Sequence, residues 1–263
     1  NKLGQFLSDP LLRNIFAQRE NKVDLEKIMN DGKILLINLS KGRLGEENSS
    51  FFGSMFITKI KQAGMARASL PEKERNDFYL YADEFHNLVT NTFENLFSEA
   101  RKYGLCLIVA HQYMSQLLPA VQATVLGNSG TLVTFRIGGD DAKKLEAEFT
   151  PVFKAKDMIN LGMKEFYIKM TIDGNTYDPF SAETLKIMPA THKSFKEEIM
   201  NFSRETYAMP VDEVKRKIEE EEKELLFGKR GAPKTNDETA STSSETSSDK
   251  PAPKVESGPA PMV

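Results

Sequence analysis

At 263 residues, 40% hydrophobic and 28% charged, the chain is long enough for one substantial core plus a tail, and too ordinary in composition to be fibrous or wholly disordered. A formal charge of -3 and an isoelectric point near 5.8 exclude a uniformly basic nucleic-acid coat protein, although a ring can confine its basic residues to a pore while staying acidic outside. One cysteine, Cys106, excludes an internal disulfide framework and a thiolate cluster for zinc; three histidines argue against a metal site, and no apolar run approaches the roughly 18 residues that a membrane span needs.

The chain opens on Asn1 followed by KLGQFL, which has neither a basic n-region with an apolar core nor a cleavage site. The expectation is a sequence that begins inside a longer protein. Strand-like apolar runs follow at residues 33–39 (KILLINL), 77–82 (DFYLYA), 105–110 (LCLIVA) and 131–137 (TLVTFRI), with helical stretches between them. Short apolar strands alternating with helices predict an α/β domain whose parallel sheet is covered on both faces. Residues 42–45 (GRLG) follow the first run and read as a turn, and residues 51–66 (FFGSMFITKIKQAGMA) read mainly as a helix packed on the sheet. A last pair of runs, 165–172 and 176–180, is divided by Asp173-Gly174-Asn175, a turn signal for an antiparallel hairpin at the sheet edge.

Beyond the hairpin, residues 210–226 predict a polar helix with a thin apolar stripe of Val214, Ile218, Leu225 and Leu226. After Gly228 the composition turns to Ser, Thr, Pro, Lys, Asp and Glu, which buries too little apolar surface to offset chain entropy. The expected domains are 1–185, a helical extension 186–228, and a disordered tail 229–263. No repeat of solenoid length is visible.

The sharpest chemical feature is FYLYADEF at 78–85, an apolar strand running straight into two carboxylates, Asp83 and Glu84. It resembles the second nucleotide motif of P-loop hydrolases, whose acids sit at the C-terminal edge of the sheet where ligands of open α/β folds bind. Successive side chains leave a strand in different directions, so Asp83 would hold the Mg²⁺ shell while Glu84 faces the γ-phosphate and polarises a water. A solvated strand end that happens to carry Asp-Glu is the plainer alternative.

YADEF, SEARKYGL, LIVAHQYMSQL and GNSGTLVTFRIGGDDAKKLEAEF come in that order, after ILLINLSKG and LGEENSSFFGSMFITKI. Together they resemble the successive signatures of the type IV secretion coupling proteins, the TraG/TraD-like members of the HerA/FtsK group of ring motors, over residues of about 10 to 185. The resemblance implies a RecA-like sheet, ATP and Mg²⁺ as cofactors, and a hexameric ring. It also implies sequence-independent DNA contact, relaxosome or secretion-channel proteins as partners, and a cytoplasmic place at the inner face of the cell membrane. It implies that Gln112, at the tip of the strand beside the two acids, senses the γ-phosphate or attacking water; a helix cap near Ser115 is the alternative. Arg101, between those strands, would reach a neighbouring subunit's nucleotide, or, with Lys102, form a solvated pair at a helix end. His111 is read as a packed neighbour, and Arg136 as a ligand contact or an ion-pair partner of Asp140 or Asp141. Lys59, Lys61 and Arg67 are the candidates for gripping DNA phosphates in the ring's channel, against the alternative of an ordinary charged helix face.

The phosphate-cradling string G-x-x-x-x-G-K-[ST] occurs nowhere in the chain. In the resembled family it precedes the segment equivalent to residue 1, so the expectation is a C-terminal fragment of the motor domain, itself inactive as an ATPase. The favoured function is an ATP-driven coupling protein that feeds DNA or nucleoprotein to a secretion channel. A HerA-like translocase for DNA processing and a non-hydrolytic recognition module on the same fold are the alternatives.

Overall fold

The computed structural model describes residues 8–89 and 92–227. They divide into two compact units, one made of the two ends of the chain and the other of residues 19–209. The helices in chain order are α1 (Pro10–Phe16), α2 (Leu25–Asn30), α3 (Glu46–Ala66), α4 (Thr92–Glu99), α5 (Pro119–Asn128), α6 (Gly139–Phe149), α7 (Ala155–Ile159), α8 (Lys196–Tyr207) and α9 (Val211–Phe227), and a further single helical turn, Lys41–Leu44, precedes α3 where the sequence reads as a plain turn at 42–45. The strands are β1 (Phe78–Ala82), β2 (Leu105–Val109), β3 (Thr131–Thr134), β4 (Glu165–Ile172), β5 (Asn175–Thr176) and β6 (Phe180–Glu183).

The unit built from the chain ends is a helix pair. Asp9 caps α1 by accepting from the Leu11 and Leu12 amides, which satisfies donors that the first turn leaves open. Leu12 of α1 and Val214 and Ile218 of α9 are buried, and Arg13 pairs with Glu222 at 2.7 Å. The stripe read from 210–226 is therefore half used: Leu225 and Leu226 stay 65% and 70% exposed. The tail 229–263 lies outside the described residues.

The larger unit is mixed α/β. Its sheet comes in two pieces: β1 and β2 pair in parallel, while β3, β5 and β6 all pair antiparallel with β4. Parallel pairing of β1 and β2 follows from their connection, because α4 carries the chain back across one face before the second strand starts. Phe78, Leu80 and Ala82 of β1 and Leu105, Leu107 and Val109 of β2 point to that face. There they meet Ile57 and Ile60 of α3, Phe93 and Leu96 of α4, and Val121 and Val125 of α5. Helix α3 supplies its apolar residues at helical spacing, Phe52, Gly53, Ile57, Ile60 and Ala63 being buried, and opens with Glu46 and Glu47 at its positive end. A second core, Ala142, Leu145 and Phe149 of α6 with Met158 of α7, packs on Leu132 and Tyr167 of the other sheet.

Two expectations are corrected here. Residues 33–39 form no strand: a strand needs a ladder, none of the described strands pairs with this run, and Ile34 and Leu36 remain 89% and 79% exposed. Nor does one sheet run through all four apolar stretches, since β3 stops at Thr134 and takes its partner from β4. The hairpin is present. Asp173 and Gly174 both hold positive φ, 51° and 80°, the pair of values a tight β4–β5 turn requires. The register slips by one residue between Thr171–Thr176 and Ile168–Phe180, a bulge that holds Pro179, which has no N–H to give a ladder.

Candidate functional site

Residues 83–87 and 110–116 leave the C-terminal ends of β1 and β2 side by side. The ladder itself brings them together: the Ala110 N–H donates to the Ala82 carbonyl at 3.0 Å, and the Phe85 N–H donates to the Ala110 carbonyl at 3.0 Å. Between those two bonds the chain must turn, and Glu84 does so in the left-handed region at φ 49° and ψ 41°. That conformation is disfavoured for a residue with a Cβ and is found where surrounding contacts impose it. Asn87 supplies them, donating to the Glu84 carbonyl from its backbone at 3.0 Å and from its side-chain amide at 3.1 Å. Asn87 is anchored in turn by Lys41 at 3.1 Å, and its carbonyl accepts from Ser50.

The result is a carboxylate–amide pair. Gln112 Nε2 donates to Glu84 Oε1 in a short hydrogen bond. The other Glu84 oxygen lies 3.4 Å from His86 Nδ1, which is buried without the geometry of a hydrogen bond. Asp83 is exposed, and one of its oxygens accepts from the Glu84 N–H at 2.9 Å. A cleft of about 700 Å³ opens beside the pair, walled by Ile37, Leu39, Ile57 and Leu80 and edged by Asp83, Glu84, His86 and Gln112. Among the described residues no group of three or more His, Cys, Asp or Glu could hold a metal by itself.

His111 stands behind the pair, its ring edge-on to Phe85 at 5.4 Å and its Nε2 3.2 Å from Met114 Sδ. Burial holds its pKa below the ordinary histidine value, with His86 adding to that effect and Asp141 and Glu84 opposing it. Gln112 caps no helix. The short turn Met114–Gln116 is capped by Gln116, whose side chain accepts from the Tyr113 N–H at 3.1 Å.

The other expected site residues lie elsewhere. Arg101 and Lys102 are both exposed, on the turn Ala100–Tyr103 that precedes β2. Lys59 is exposed and Lys61 half-buried on α3. Arg67 is 0% exposed, and its guanidinium donates to the carbonyls of Gly104, at 3.4 Å, and Asn76. It presents nothing to a phosphate, so the expectation of a DNA contact at Arg67 is corrected: its guanidinium serves to satisfy two partly buried carbonyls where α3 ends. Arg136 is exposed and pairs with neither acid considered for it, since Asp140 faces Lys143 at 4.0 Å and Asp141 accepts from the Met114 N–H at 3.2 Å.

Residues 77–147 match the family model described as the TraM recognition site of TraD and TraG. The chain carries a TraD/TraG-type segment. That segment runs from β1 into α6, so it contains Asp83, Glu84, Arg101, Gln112 and Asp141, while Lys59, Lys61 and Arg67 precede it. No curated protein matches the chain. Among solved structures it overlaps the bacterial conjugative coupling protein TrwB, at 16% identity and a TM-score of 0.46, over 56% of this chain and 40% of TrwB. It also overlaps TrwB in complex with ADP and Mg²⁺, at 17% identity and a TM-score of 0.44. A third overlap is with the genome packaging NTPase B204 of Sulfolobus turreted icosahedral virus 2 in complex with AMPPCP, at 16% identity and 0.43, over 64% of this chain and 74% of that one. The chain spans well under two thirds of the TrwB chains beside the TraD/TraG-type segment it contains.

Residues that the sequence did not single out complete the site. His86 and Asn87 follow Glu84 directly, and the signal for them is the turn that has to follow the strand. Asp141 and Gln122 meet the Gln112 loop only through the fold.

Proposed function

We propose that the chain is the C-terminal part of an ATP-driven coupling protein that recruits DNA or nucleoprotein and drives it into a type IV secretion channel. The observation that carries this reading is the Glu84–Gln112 pair, set at the ends of two adjacent parallel strands inside the TraD/TraG-type segment. Strand ends of this kind are where open α/β folds bind and process ligands.

In this reading Glu84 accepts the proton of the attacking water, and Gln112, whose amide both donates and accepts, orients that water and registers the γ-phosphate. Asp83 is the residue that would hold a magnesium ion. Its single exposed carboxylate suits an ion that arrives with the nucleotide and is held mainly by phosphate oxygens, rather than a resident ion with its own cage. When bound, Mg-ATP would supply the phosphoryl group. The phosphate cradle is supplied from a P-loop upstream of residue 1; β1, β2 and β3 each have one edge without a partner among the described residues, which is compatible with a further strand. Arg101 reaches the nucleotide of the next subunit in a hexameric ring, and Lys59 and Lys61 contribute to a channel that grips DNA phosphates without reading sequence. The ring works on the cytoplasmic side of the membrane; no helix among the described residues is long and apolar enough to cross one.

A second reading has support of its own, because the matched family description is of a recognition site. There the chain docks a relaxosome protein and hydrolyses nothing. The reading frame upstream of the Asn1 codon separates the two. Sequencing it should reveal a P-loop after a strand, and the longer protein should hydrolyse ATP faster when DNA is added. Binding to a relaxosome protein with no hydrolysis in the longer protein would leave the recognition role and remove the motor.

A further inference from the structure

Gln112 meets Glu84 only while the loop at 111–116 keeps one shape, and beyond the loop's own bonds between Gln116 and Tyr113 the bonds that fix that shape come from other elements. The Met114 N–H donates to Asp141 Oδ2 at 3.2 Å, and the Met114 carbonyl accepts from Gln122 Nε2 at 2.7 Å. Gln122 Nε2 also donates to the Leu117 carbonyl at 2.7 Å. Lys144 reaches Gln122 Oε1 at 3.5 Å. Asp141 and Lys144 are three residues apart on α6 and so share one face of it. That face grips the backbone of Met114 twice, directly at its donor and through Gln122 at its acceptor.

The contrast within the helix is informative. Asp140 and Asp141 both stand in the first turn of α6, where a carboxylate is favoured by the helix dipole from solvent alone. The Asp140 side chain is 98% exposed, whereas Asp141 is 8% exposed. Burying a carboxylate costs free energy unless hydrogen bonds compensate it, and the bond Asp141 receives comes from an amide 27 residues away, two positions past Gln112. The helix itself needs only one of the two acids.

We infer that Asp141 is a positioning residue, holding the Gln112 loop against Glu84 so that α6 and the core beneath it set the geometry of the carboxylate–amide pair. Its catalytic consequence rests on the ATPase reading of that pair, and its structural consequence does not. Neither Asp141 nor Gln122 touches the cleft, so their effect on the reacting groups passes through the backbone of Met114.

The test is amide hydrogen exchange and nitrogen-15 NMR on the full chain with Asp141→Ala, Asp141→Asn and, as control, Asp140→Ala. In Asp141→Ala the Met114 amide should exchange about tenfold faster or more, as expected for loss of a bond to a charged acceptor. The Gln112 side-chain amide signals should lose the displacement caused by Glu84, while Phe85 and Ala110 keep their protection. Asp141→Asn retains an acceptor oxygen and should restore both signals, and Asp140→Ala should change neither. If Asp141→Ala also strips protection from Leu145 and Phe149, the second core has failed. Gln122→Leu then makes the test, removing the other arm and loosening the same loop. Met114 exchange and Gln112 signals unchanged in both Asp141→Ala and Gln122→Leu would overturn the inference. In the P-loop-bearing protein, Asp141→Ala should lower kcat with KM for ATP kept, and Asp141→Asn should recover it. A wild-type protein that hydrolyses no ATP would remove the catalytic reading and leave the exchange results standing.

Discussion

At the scale of residues, Glu84 combines a strained backbone with a carboxylate at the edge of the cleft. Its backbone sits in the left-handed region, and its carboxylate, on a side chain 41% exposed, lies between Gln112 and His86. Strain of this kind, on the order of 1–3 kcal/mol, persists where the surroundings over-determine it. Replacing Glu84 by Gln keeps the side chain's size and its bond to Gln112, but removes the base that the proposed function assigns to it. Hydrolysis in the P-loop-bearing protein should fall by about 10²–10⁴-fold with nucleotide binding intact, read by single-turnover kinetics and nucleotide titration. Equal loss of binding and turnover would assign Glu84 to holding the turn. His111 carries a second prediction. Burial depresses its folded pKa below the unfolded value near 6.5, so the unfolded chain takes up a proton first as pH falls. Its contribution to stability is complete above about pH 6.5 and is lost as pH drops toward the folded pKa. Melting temperature against pH should show that descent in the wild type and a flatter profile in His111→Gln. Identical profiles would mean that other groups set the acid limb.

At the scale of elements, what the sequence disclosed depended on how far each element's partner lies along the chain. The runs at 78–82 and 105–109 were legible because their burial is local: each is nearly all apolar, and α4 between them supplies the crossover. The hairpin was legible from Asp173-Gly174, whose positive φ values the turn demands. The run at 33–39 has the composition of a strand yet forms no ladder, since pairing is decided by a partner and not by composition. Arg67 was read as a surface cation because it ends a helix among other basic residues. Its carbonyl partners, on Asn76 and Gly104, belong to the approach to β1 and the approach to β2, which only the fold brings together. Gly104 sits there at φ 65°, and a Cβ at that position would come within 3.3 Å of the Asn76 carbonyl. Arg67→Ala should therefore destabilise the protein by roughly 3 kcal/mol, through a cavity and two carbonyls left bare. Chemical denaturation measures this. DNA affinity lost without a change in the denaturation midpoint would return Arg67 to the phosphate-binding face.

At the scale of the whole molecule, the question is whether the site is complete within one subunit. Glu84, Gln112 and Asp83 gather at one strand edge, but Arg101 stands on the turn before β2, at the opposite end of that strand. A strand of five residues spans about 16 Å, which sets Arg101 well apart from Glu84 and Gln112 of its own chain. An exposed arginine in that position fits a role toward a neighbour, where a guanidinium spreads over the phosphoryl oxygens as charge develops on them. In a ring each site would join Glu84 of one subunit to Arg101 of the next. Two inactive proteins should then rescue each other. Glu84→Gln and Arg101→Ala subunits of the P-loop-bearing protein, each inactive alone, recreate an intact site wherever the Arg101→Ala subunit offers its Glu84 to the Arg101 of a Glu84→Gln neighbour. With equal amounts and random assembly, about a quarter of sites are whole, and ATPase activity should recover toward that fraction. Recovery requires both that the ring forms and that arginine acts across its interface. A mixture as inactive as its components, in rings shown by mass to contain both subunits, would mean that Arg101 does not act across the interface.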